Sequence, residues 1–482
     1  MNNPRELMRH DLLIGGEAVP PGGGKYSTNL DPATEEPIAL VAEGTVEDVE
    51  RAVQAARAAL KPWNAMRAAE RGRILMRFSD LLREHQDEIA ELECRDAGKP
   101  IGGVLRQDVP SAIDTLAYYA GWCDKINGQV VPARPDALTY TLREPVGVVA
   151  AIVPWNFPLM IGMWKIAPAL ACGCTLIVKP AEITPLSALR IGRLALEAGV
   201  PPGVLNIVTG KGSVIGDALV KHPGIDKVTF TGSPSVGRGI LQGAVSNFKR
   251  VTLELGGKSA NVIFADANLD NAVRAAASGV FFNAGQVCSA GSRILVQRAV
   301  YDEVVERLAT RAKSIRLGDP AQRDTHMGPV ISEKQMQSVL DYVDIGKQEG
   351  ASLVTGGKRT GARGYFIEPT VFANVAHEMR ISQEEIFGPV ASVIPFDDEE
   401  DAVRIANGTL YSLAAGVWSA DIGRVHRVAA GLKAGTVWIN TYGYTDVRLP
   451  WGGSGDSGFG REHGDVAIEN FTEPKTVWLA LT

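Results

Sequence analysis

Cysteine is scarce in this sequence. The 482 residues contain five, at positions 94, 123, 172, 174 and 288. Because their number is odd and their spacing irregular, a disulfide framework is not expected, and a reducing compartment such as the cytoplasm fits best. Histidine is also rare, with seven scattered residues and no HExxH or paired C-x-x-C motif. We therefore expect neither a metal site nor a cysteine–histidine protease.

Long runs of charge and long apolar runs are missing as well. The net charge is −6 without a long basic segment, which disfavours nucleic-acid binding because that requires a concentrated cationic surface. The most apolar region, 147–178, is interrupted by prolines, Asn156 and Lys165, so it indicates buried strands and loops and no membrane span. Residues 1–6 lack the apolar core of a signal peptide.

What the sequence does contain is a regular alternation of strand and helix patterns. A chain of 482 residues is too long for one ordinary core, so at least two domains are expected. The alternation predicts an α/β fold with a doubly wound parallel sheet and ligands at the carboxyl ends of its strands. A domain boundary is expected near residue 256. The apolar runs predicted to be buried strands are 148–153, 175–178, 205–208 and 227–230.

The segment 127–146 has a different character. Its two short β patterns, separated by proline and aspartate, predict a β-hairpin. An isolated two-stranded hairpin is marginally stable, so pairing with another subunit is one interpretation and an ordinary surface hairpin is the other. The residues themselves support the two equally. At the end of the chain, residues 476–481 predict an edge strand.

Two glycine-rich turns follow predicted strands and open predicted helices. Gly210–Gly216 nearly fits G-x-G-x-x-G but has one residue too many before its last glycine. Phe230–Gly237 offers backbone N–H groups and a helix dipole to a pyrophosphate. Each turn alone is more often an ordinary β–α connection. At a third strand end, Lys179 and Glu182 are spaced so that both can reach ribose hydroxyls. The two glycine-rich turns and this pair together favour a dinucleotide site.

One cysteine stands apart from the other four. Cys288 lies in a small-residue loop bounded by glycines, directly after an alanine-rich helical pattern. A free thiol has a pKa of about 8.5 and needs activation to act as a nucleophile. From the residues alone, a buried small hydrophobe is the commoner role for such a cysteine, and Cys172 and Cys174 fit that role well.

Two polar residues at strand ends complete the candidate chemistry. Glu254 precedes Gly256 and Gly257 and is the candidate general base, with a solvated strand-end carboxylate as the alternative. Asn156 stands between two prolines after a buried strand and can donate its amide to an oxyanion. A structural turn asparagine is equally compatible with that position.

Taken together, these motifs resemble the aldehyde dehydrogenase superfamily. The resemblance extends from about residue 12 to residue 480. Its most specific parts are Pro154-Trp155-Asn156-Phe157-Pro158, Lys179-Pro180-Ala181-Glu182, Phe230-Thr231-Gly232-Ser233, Leu253-Glu254-Leu255-Gly256-Gly257-Lys258, the Cys288 loop, Glu384-Glu385-Ile386-Phe387-Gly388-Pro389 and Gly458-Phe459-Gly460-Arg461-Glu462.

The resemblance implies three structural parts. They are a Rossmann-like NAD-binding domain (1–126 and 147–255), an α/β catalytic domain (256–464), and a small β oligomerisation element (127–146 and 465–482). It favours a hairpin that bridges subunits, and hence a homodimer or homotetramer.

The resemblance also implies roles for residues. Cys288 attacks an aldehyde to form a thiohemiacetal and then a thioester, Asn156 and the Cys288 N–H stabilise the oxyanion, and Glu254 activates the hydrolytic water. Glu182 accepts hydrogen bonds from both ribose hydroxyls and repels a 2′-phosphate, so NAD is expected and NADP is the less favoured cofactor. The expected cofactor contacts are Trp155, Lys179, Glu182, Gly212, Thr231, Gly232, Ser233, Leu255, Glu385 and Phe387.

By the same resemblance, the aldehyde tunnel is aromatic and apolar with a few hydroxyls. Its expected lining is Phe157, Met160, Ile161, Trp164, Phe282, Val287, Ser289, Tyr442, Thr445 and Trp451. This lining suits a medium aliphatic or aromatic aldehyde. Asp446 can meet a cationic substrate, as in aminoaldehyde or betaine-aldehyde enzymes, although a solvated loop carboxylate is the simpler interpretation. A semialdehyde dehydrogenase and, outside this class, a Cys288 thiol esterase without redox chemistry are the alternatives.

Overall fold

The computed structural model describes residues 7–481. Residues 1–6, where no signal peptide is expected, and residue 482 lie outside the described part. In chain order the strands are β1 (Arg9–His10), β2 (Leu12–Ile14), β3 (Glu17–Val19), β4 (Tyr26–Leu30), β5 (Pro37–Ala42), β6 (Ala137–Pro145), β7 (Val148–Ile152), β8 (Thr175–Lys179), β9 (Leu205–Ile207), β10 (Lys227–Thr231), β11 (Arg250–Glu254), β12 (Ala260–Ile263), β13 (Arg293–Gln297), β14 (Ser352–Thr355), β15 (Thr370–Ala373), β16 (Val390–Phe396), β17 (Ala414–Trp418), β18 (Thr436–Ile439), β19 (Gly458–Phe459) and β20 (Thr472–Ala480).

The α-helices alternate with these strands. They are α1 (Val46–Ala65), α2 (Ala68–Glu84), α3 (Gln86–Ala97), α4 (Ile101–Gly103), α5 (Val109–Ala120), α6 (Pro158–Ala171), α7 (Leu186–Glu197), α8 (Asp217–Lys221), α9 (Pro234–Ala244), α10 (Leu269–Phe281), α11 (Tyr301–Ser314), α12 (Glu333–Gln348), α13 (Arg380–Gln383), α14 (Glu399–Asn407), α15 (Ile422–Gly431) and α16 (Val466–Phe471). Two π-helical turns (Val104–Asp108 and Gly212–Gly216) and a 3₁₀ turn (Phe282–Gly285) lie close to the site described below. Between residues 7 and 481, no helix is both long and apolar enough to cross a membrane.

The first sheet confirms the predicted α/β architecture. Its order is β19-β11-β10-β7-β8-β9-β2-β3, and the five strands from β11 to β9 are parallel. The chain runs from β7 outward to β9 and then returns to the other side of β7 through β10. The direction of winding therefore reverses between β7 and β10, which is where doubly wound sheets bind ligands at the carboxyl ends of their strands.

The second sheet follows directly in sequence. Its order is β14-β15-β16-β13-β12-β17-β18, and every neighbouring pair is parallel except β14 with β15. The chain later returns to the first sheet, where β19 pairs antiparallel with β11 beside Glu254. Each sheet has its own buried apolar core, and every residue of β7 and β8 is buried.

The predicted hairpin at 127–146 is only partly formed. Val130 and Arg134 make isolated bridges to β6, whereas β6 forms its continuous antiparallel ladder with β20 over nine residue pairs. Pro132 and Pro135 lack the backbone N–H that a ladder requires, so the N-terminal arm cannot extend. The final strand, predicted at 476–481, supplies the partner and begins earlier, at Thr472.

Helix α6 explains how the first sheet carries a site. It begins at Pro158, immediately after the turn that follows β7, and every one of its residues is buried. Proline is favoured in the first helical turn because its missing N–H is not needed there. The turn of residues 153–157 is thus fixed between a buried strand and a buried helix, at the edge where the winding reverses.

Candidate active site

Asn156 lies in this turn with its side chain held in place. The residue is 4% exposed. Its Nδ2 donates a hydrogen bond to the Gln286 carbonyl oxygen over 3.0 Å, and its own carbonyl accepts from Asn283 Nδ2 over 3.1 Å and from Lys99 Nζ over 3.2 Å. The bond to Gln286 uses one of the two amide hydrogens. Among the described residues no second acceptor is within reach of Nδ2, so the other hydrogen is available to a ligand.

The loop that carries Cys288 is built on an unusual backbone. After α10 ends, Asn283 and Ala284 have φ values of 49° and 52°, a left-handed conformation that few non-glycine residues adopt. Asn283 Nδ2 donates to the Gln286 carbonyl oxygen, and Gln286 Nε2 donates to the Asn283 carbonyl oxygen. The Ile331 N–H donates to Gln286 Oε1 over 2.8 Å. These bonds fix the turn, and such backbone strain is typical of functional sites.

The two glycines after Glu254 allow other groups to approach closely. A Cβ on Gly257 would collide with the Cys288 carbonyl oxygen, and a Cβ on Gly256 would collide with the Glu385 carboxylate. The Gly257 N–H donates to Glu385 Oε1 over 3.0 Å. This close approach is the physical reason for the glycine pair in the motif, because only glycine leaves room for both neighbours.

Cys288 separates two cavities. The first, named the Trp164 cavity, has a volume of about 430 Å³ and is lined by Phe157, Trp164, Phe282 and Cys288, among other residues. The second, named the Phe387 cavity, has a volume of about 230 Å³ and is lined by Asn156, Cys288, Glu385 and Phe387, among others. The sulfur-bearing residue is half-buried and lines both cavities. A group in either cavity can therefore meet the same thiol.

The thiol of Cys288 is strongly held in its neutral form. Burial, followed by the charges of Glu385 and Glu254, raises its pKa to about 12, and backbone N–H groups at residues 288 and 289 act in the opposite direction. A sulfur in this environment needs its proton removed, or a positive charge nearby, to become a nucleophile. The other four cysteines are buried, whereas Cys288 is half-buried.

Glu254 ends β11 and is 5% exposed. Its Oε2 has no hydrogen-bond partner among the described residues. Burial first, and then the charge of Glu462, raises the pKa of Glu254 well above its usual range, while Lys165 and Arg461 lower it. Glu254 lines neither of the two cavities in the described structure, so its carboxylate lies behind their wall. An unpaired buried carboxylate with a raised pKa has the properties of a general base.

A buried polar network lies beside this carboxylate. Lys165 Nζ is 2.6 Å from Glu462 Oε1 and 3.2 Å from Thr229 Oγ1. Nearby, burial lowers the pKa of Lys227 to about 7, and its ammonium donates to Thr252 Oγ1 over 3.2 Å. The pair of Lys165 and Glu462 neutralises two charges that would otherwise be isolated in the interior.

A third cavity lies at the carboxyl ends of β7, β8 and β10. This Lys179 cavity has a volume of about 850 Å³, and among its lining residues are Trp155, Lys179, Glu182, Gly212, Thr231, Gly232 and Ser233. Glu182 Oε1 accepts a hydrogen bond from the Gly212 N–H over 2.5 Å. Burial lowers the pKa of Lys179 to about 8. The cavity shares Trp155, Thr231, Gly232 and Ser233 with the Phe387 cavity, so the two are continuous.

The residues predicted for the cofactor and for the tunnel lie around these cavities. Leu255, Glu385 and Phe387 join Trp155 in the Phe387 cavity, where the rings of Trp155 and Phe387 lie 5.2 Å apart at 88°. All residues predicted for the tunnel line the Trp164 cavity, namely Phe157, Met160, Ile161, Trp164, Phe282, Val287, Ser289, Tyr442, Thr445 and Trp451. Ser233 caps α9 by accepting from the Val236 N–H over 3.4 Å.

Comparison with known proteins accounts for this arrangement. The model of the aldehyde dehydrogenase family matches residues 19–477. The chain belongs to the aldehyde dehydrogenase family. It is 48% identical over 475 residues to human aldehyde dehydrogenase 1A1, covering 98% of this chain and 95% of that protein. Oxidation of an aldehyde is the activity that this membership supports.

Solved structures agree with the sequence relatives. The NAD+ complex of aldehyde dehydrogenase from Bacillus cereus has a TM-score of 0.97 and 47% identity, over 98% of this chain and 97% of that one. The NAD+ complex of betaine aldehyde dehydrogenase from Staphylococcus aureus, with a TM-score of 0.96, is 42% identical over 98% of this chain and 95% of that one. The predicted Rossmann-like fold and the predicted family are both confirmed.

Asp446 does not join the aldehyde dehydrogenase site. Its carboxylate pairs with Arg448 at 2.6 Å and is not among the residues that line the Trp164 cavity. Arg448 holds the pKa of Asp446 down to about 2. The carboxylate already has a cationic partner, which agrees with the simpler interpretation of a solvated loop residue.

Sequence reasoning missed several residues of the site. Arg106, Gln107, Ser278 and Tyr444 line the Trp164 cavity, and Gln335 lines the Phe387 cavity, where its Nε2 donates to the Phe387 carbonyl oxygen over 2.9 Å. Gln335 belongs to no recognised motif, and Arg106 lies in a π-helical turn. No local sequence pattern therefore identified these two residues. The pair Gly102-Gly103, just before this turn, is the one local signal for a close approach.

Proposed function

We propose that this protein oxidises medium-sized aliphatic or aromatic aldehydes to carboxylic acids with NAD+, through a thioester on Cys288. The observation that carries this proposal is that Cys288 lines both the Trp164 cavity and the Phe387 cavity. An aldehyde in the first and a hydride acceptor in the second would then lie on either side of one sulfur. The aromatic and apolar lining of the Trp164 cavity supports the substrate class.

The residues of the Lys179 and Phe387 cavities fit a nicotinamide dinucleotide. Lys179 and Glu182 would hold the adenosine ribose, and the Ser233 turn at the N-terminus of α9 would meet the phosphates. The wall of the channel between these ends consists of backbone groups and mostly small side chains, from Gly212, Thr231, Gly232 and Leu255. Glu385 and Phe387 would position the nicotinamide half. When bound, NAD+ supplies the hydride acceptor.

The first chemical step is addition of the thiol to the aldehyde. The Cys288 thiol gives its proton to a water molecule, the sulfur forms a bond to the carbonyl carbon, and the carbonyl π electrons move to oxygen. The free N–H of Asn156 and the Cys288 backbone N–H donate hydrogen bonds to the oxygen as its charge develops. The bond between Asn156 and the Gln286 carbonyl keeps the amide oriented before substrate arrives, so little reorganisation is needed.

The second half of the cycle is hydrolysis of the thioester. Glu254 removes a proton from water, whose oxygen adds to the thioester carbon. The C–S bond then breaks, which releases the carboxylic acid and restores Cys288. Glu254 is suited to this step because its raised pKa makes it a stronger base once ionised.

An NADH-formation screen tests the proposal. Aliphatic and aromatic aldehydes should yield NADH and the acid, and Cys288→Ala should abolish the signal while the fold is retained. Absence of NADH from every aldehyde would overturn the proposal. Turnover of activated esters without any NADH from aldehydes would identify a thiol esterase instead.

We also propose a division into three parts. They are an NAD-binding domain (1–126 and 147–255), a catalytic domain (256–464) and an oligomerisation element (127–146 and 465–482). The last pair supports assembly into a homodimer or homotetramer. The β6–β20 ribbon exposes apolar residues, including Leu142 at 42% and Trp478 at 59%, and it is a two-stranded element that other strands commonly stabilise. Sedimentation of the wild type should show an oligomer, and Trp478→Lys should shift it to smaller species. A monomeric wild type would contradict the assembly.

A cytoplasmic location is part of the same proposal. All five cysteines are free thiols, which suits a reducing compartment. Fractionation of the native host, with the thiol state measured after rapid alkylation, tests this. Recovery of the protein in an oxidising compartment would contradict it.

A further inference from the structure

The Trp164 cavity has one charged side chain in an otherwise neutral lining. Of the residues that the structure places around this cavity, only Arg106 carries a formal charge. Arg106 is exposed on the π-helical turn between α4 and α5. Within residues 7–481 it forms no salt bridge and no side-chain hydrogen bond. A cation at the rim of an apolar tunnel, without a protein partner, is a recognisable anion receptor.

The backbone beneath Arg106 makes room for the guanidinium. A Cβ on Gly102 would lie 3.0 Å from one terminal nitrogen of Arg106 and 3.6 Å from its Cζ. Glycine at this position therefore lets the planar group lie against the helix at the rim. Gly103, the next residue, lines the same cavity as Arg106.

Uncharged donors lie around the same cavity. Gln107 offers an amide and Ser278 a hydroxyl, and both line the Trp164 cavity. The buried part of the lining, which includes Phe157, Trp164 and Trp451, is aromatic and apolar. The cavity thus combines hydrogen-bond donors with an aromatic and apolar interior. This combination matches a substrate with one polar end and one apolar part.

The neighbouring surface is cationic as well. A shallower cavity of about 310 Å³, named the Arg311 cavity, is lined by Arg274 and Arg311, among others. It shares Ser278 and Phe282 with the Trp164 cavity. The nearby acidic group Asp446 is neutralised by Arg448. Positive charge beside an opening raises the local concentration of anions and their rate of association.

We propose that Arg106 selects aldehydes that carry an anionic group, such as a carboxylate, at the end remote from the formyl carbon. This inference rests on the proposed function and narrows its substrate class. The formyl group reaches Cys288, the apolar or aromatic spacer fills the Trp164 cavity, and the carboxylate receives hydrogen bonds from the Arg106 guanidinium at the rim.

A matched pair of aldehydes tests the inference. 4-Carboxybenzaldehyde and methyl 4-formylbenzoate have the same ring and nearly the same length but differ in charge. In the wild type, kcat/KM should favour the carboxylate by about five- to tenfold, the size expected of a charge-assisted hydrogen bond at a partly solvated rim. The preference should fall with added salt, because exposed charges are screened.

Variants assign the preference to one side chain. Arg106→Met should reduce the ratio to about one through KM, and Arg106→Lys should retain part of it because the charge remains but the planar fork is lost. Arg73→Met, which removes an exposed arginine that lines none of these cavities, should keep the wild-type ratio. Thermal unfolding of each variant establishes that it is folded.

The outcomes separate this inference from the proposed function. A wild-type ratio near one, or a ratio that survives Arg106→Met, would overturn the role of Arg106, while NADH formation from the neutral ester would still support the proposed function. Failure of both aldehydes, together with every other aldehyde in the screen, would overturn the proposed function itself. A preference for 4-(trimethylammonio)benzaldehyde would also contradict the inference.

Discussion

Lys165 and Glu462 form an ion pair of 2.6 Å in the protein interior, although 297 residues separate them in the chain. The lysine belongs to α6, and the glutamate follows β19. The pair therefore joins the helix behind the site to the segment that returns to the first sheet. It also lies close enough to Glu254 for both charges to affect the pKa of that carboxyl.

Breaking this pair should destabilise the fold. Lys165→Met leaves the Glu462 carboxylate buried without a cation, which should lower the free energy of unfolding by about 3–5 kcal/mol. Denaturant unfolding measures the change. The double variant Lys165→Met/Glu462→Leu should recover much of the loss, because neither charge of the pair remains. Equal stability of Lys165→Met and the wild type would contradict the buried-pair assignment.

Glu254→Gln should trade activity for stability. The raised pKa means that the folded state favours the protonated carboxyl, so this contribution to stability is present at low pH and is lost as the pH rises through the folded pKa. Glutamine cannot ionise, so the free energy of unfolding at pH 8 should be higher in the variant than in the wild type, and the difference should shrink towards pH 4. Turnover should fall by about a hundredfold or more.

Two measurements check this prediction. Denaturant melts at several pH values give the stability difference, and steady-state NADH formation gives turnover. Glu91→Gln, which changes an exposed glutamate by the same atoms, should alter neither. Full turnover by the Glu254→Gln variant would contradict the assignment of Glu254 as the general base.

Glu385→Gln should make Cys288 more reactive in the free enzyme. The charge of Glu385 is the second-largest cause of the raised thiol pKa, after burial. Removing that charge should lower the thiol pKa and raise the rate of alkylation by iodoacetamide at pH 8 by about three- to tenfold. Glu384→Gln, at the adjacent and half-buried position, is the matched control. An unchanged alkylation rate would show that Glu385 does not act on the sulfur.

Tyr442→Phe should loosen the loop that holds the nucleophile. The hydroxyl of Tyr442 donates to the Ser289 carbonyl oxygen over 2.9 Å, and its ring packs against the glycine positions 279, 291 and 416. Loss of the bond should cost about 1 kcal/mol of stability and lower kcat more than it changes KM for NAD+. Tyr118→Phe makes the same chemical change away from the loop. Identical effects of the two substitutions would exclude a positioning role for Tyr442.

Glu182 should set the choice between the two nicotinamide cofactors. Its carboxylate lines the Lys179 cavity beside Gly212 and would repel a 2′-phosphate. Glu182→Gln should lower the ratio of kcat/KM for NAD+ over NADP+ by about tenfold, which corresponds to about 1.4 kcal/mol. Glu197→Gln, on the exposed end of α7, is the control. Comparable kcat/KM for both cofactors in the wild type would contradict the assignment.

Much of the fold could be predicted because its signals are local. The strands β7, β8 and β10 are buried throughout and rich in β-branched residues, and β8 and β10 end in Lys179 and Thr231. In a parallel sheet the carboxyl ends of neighbouring strands share one edge, so residues at strand ends are brought together without further information. Trp155, Lys179 and Ser233 line one cavity for this reason.

The pairing of β6 could not be predicted in the same way. Sequence proximity favours a hairpin, but two prolines limit the local partner, and β20 competes from more than 300 residues away. Pairing between distant strands depends on how the rest of the chain places them. No pattern inside residues 127–146 contains that information.

The sequence by itself determined the family and the alternation of strands and helices, and it predicts a nucleophile, a base and an amide donor, because each depends on residue types at fixed spacing. Only the tertiary structure decided which distant side chains share an environment. It placed Cys288 between two cavities, buried Glu254 beside the Lys165–Glu462 pair, and brought Arg106 to the rim of the Trp164 cavity. The physical reason is that burial, electrostatic field and cavity shape arise from packing between segments far apart in sequence.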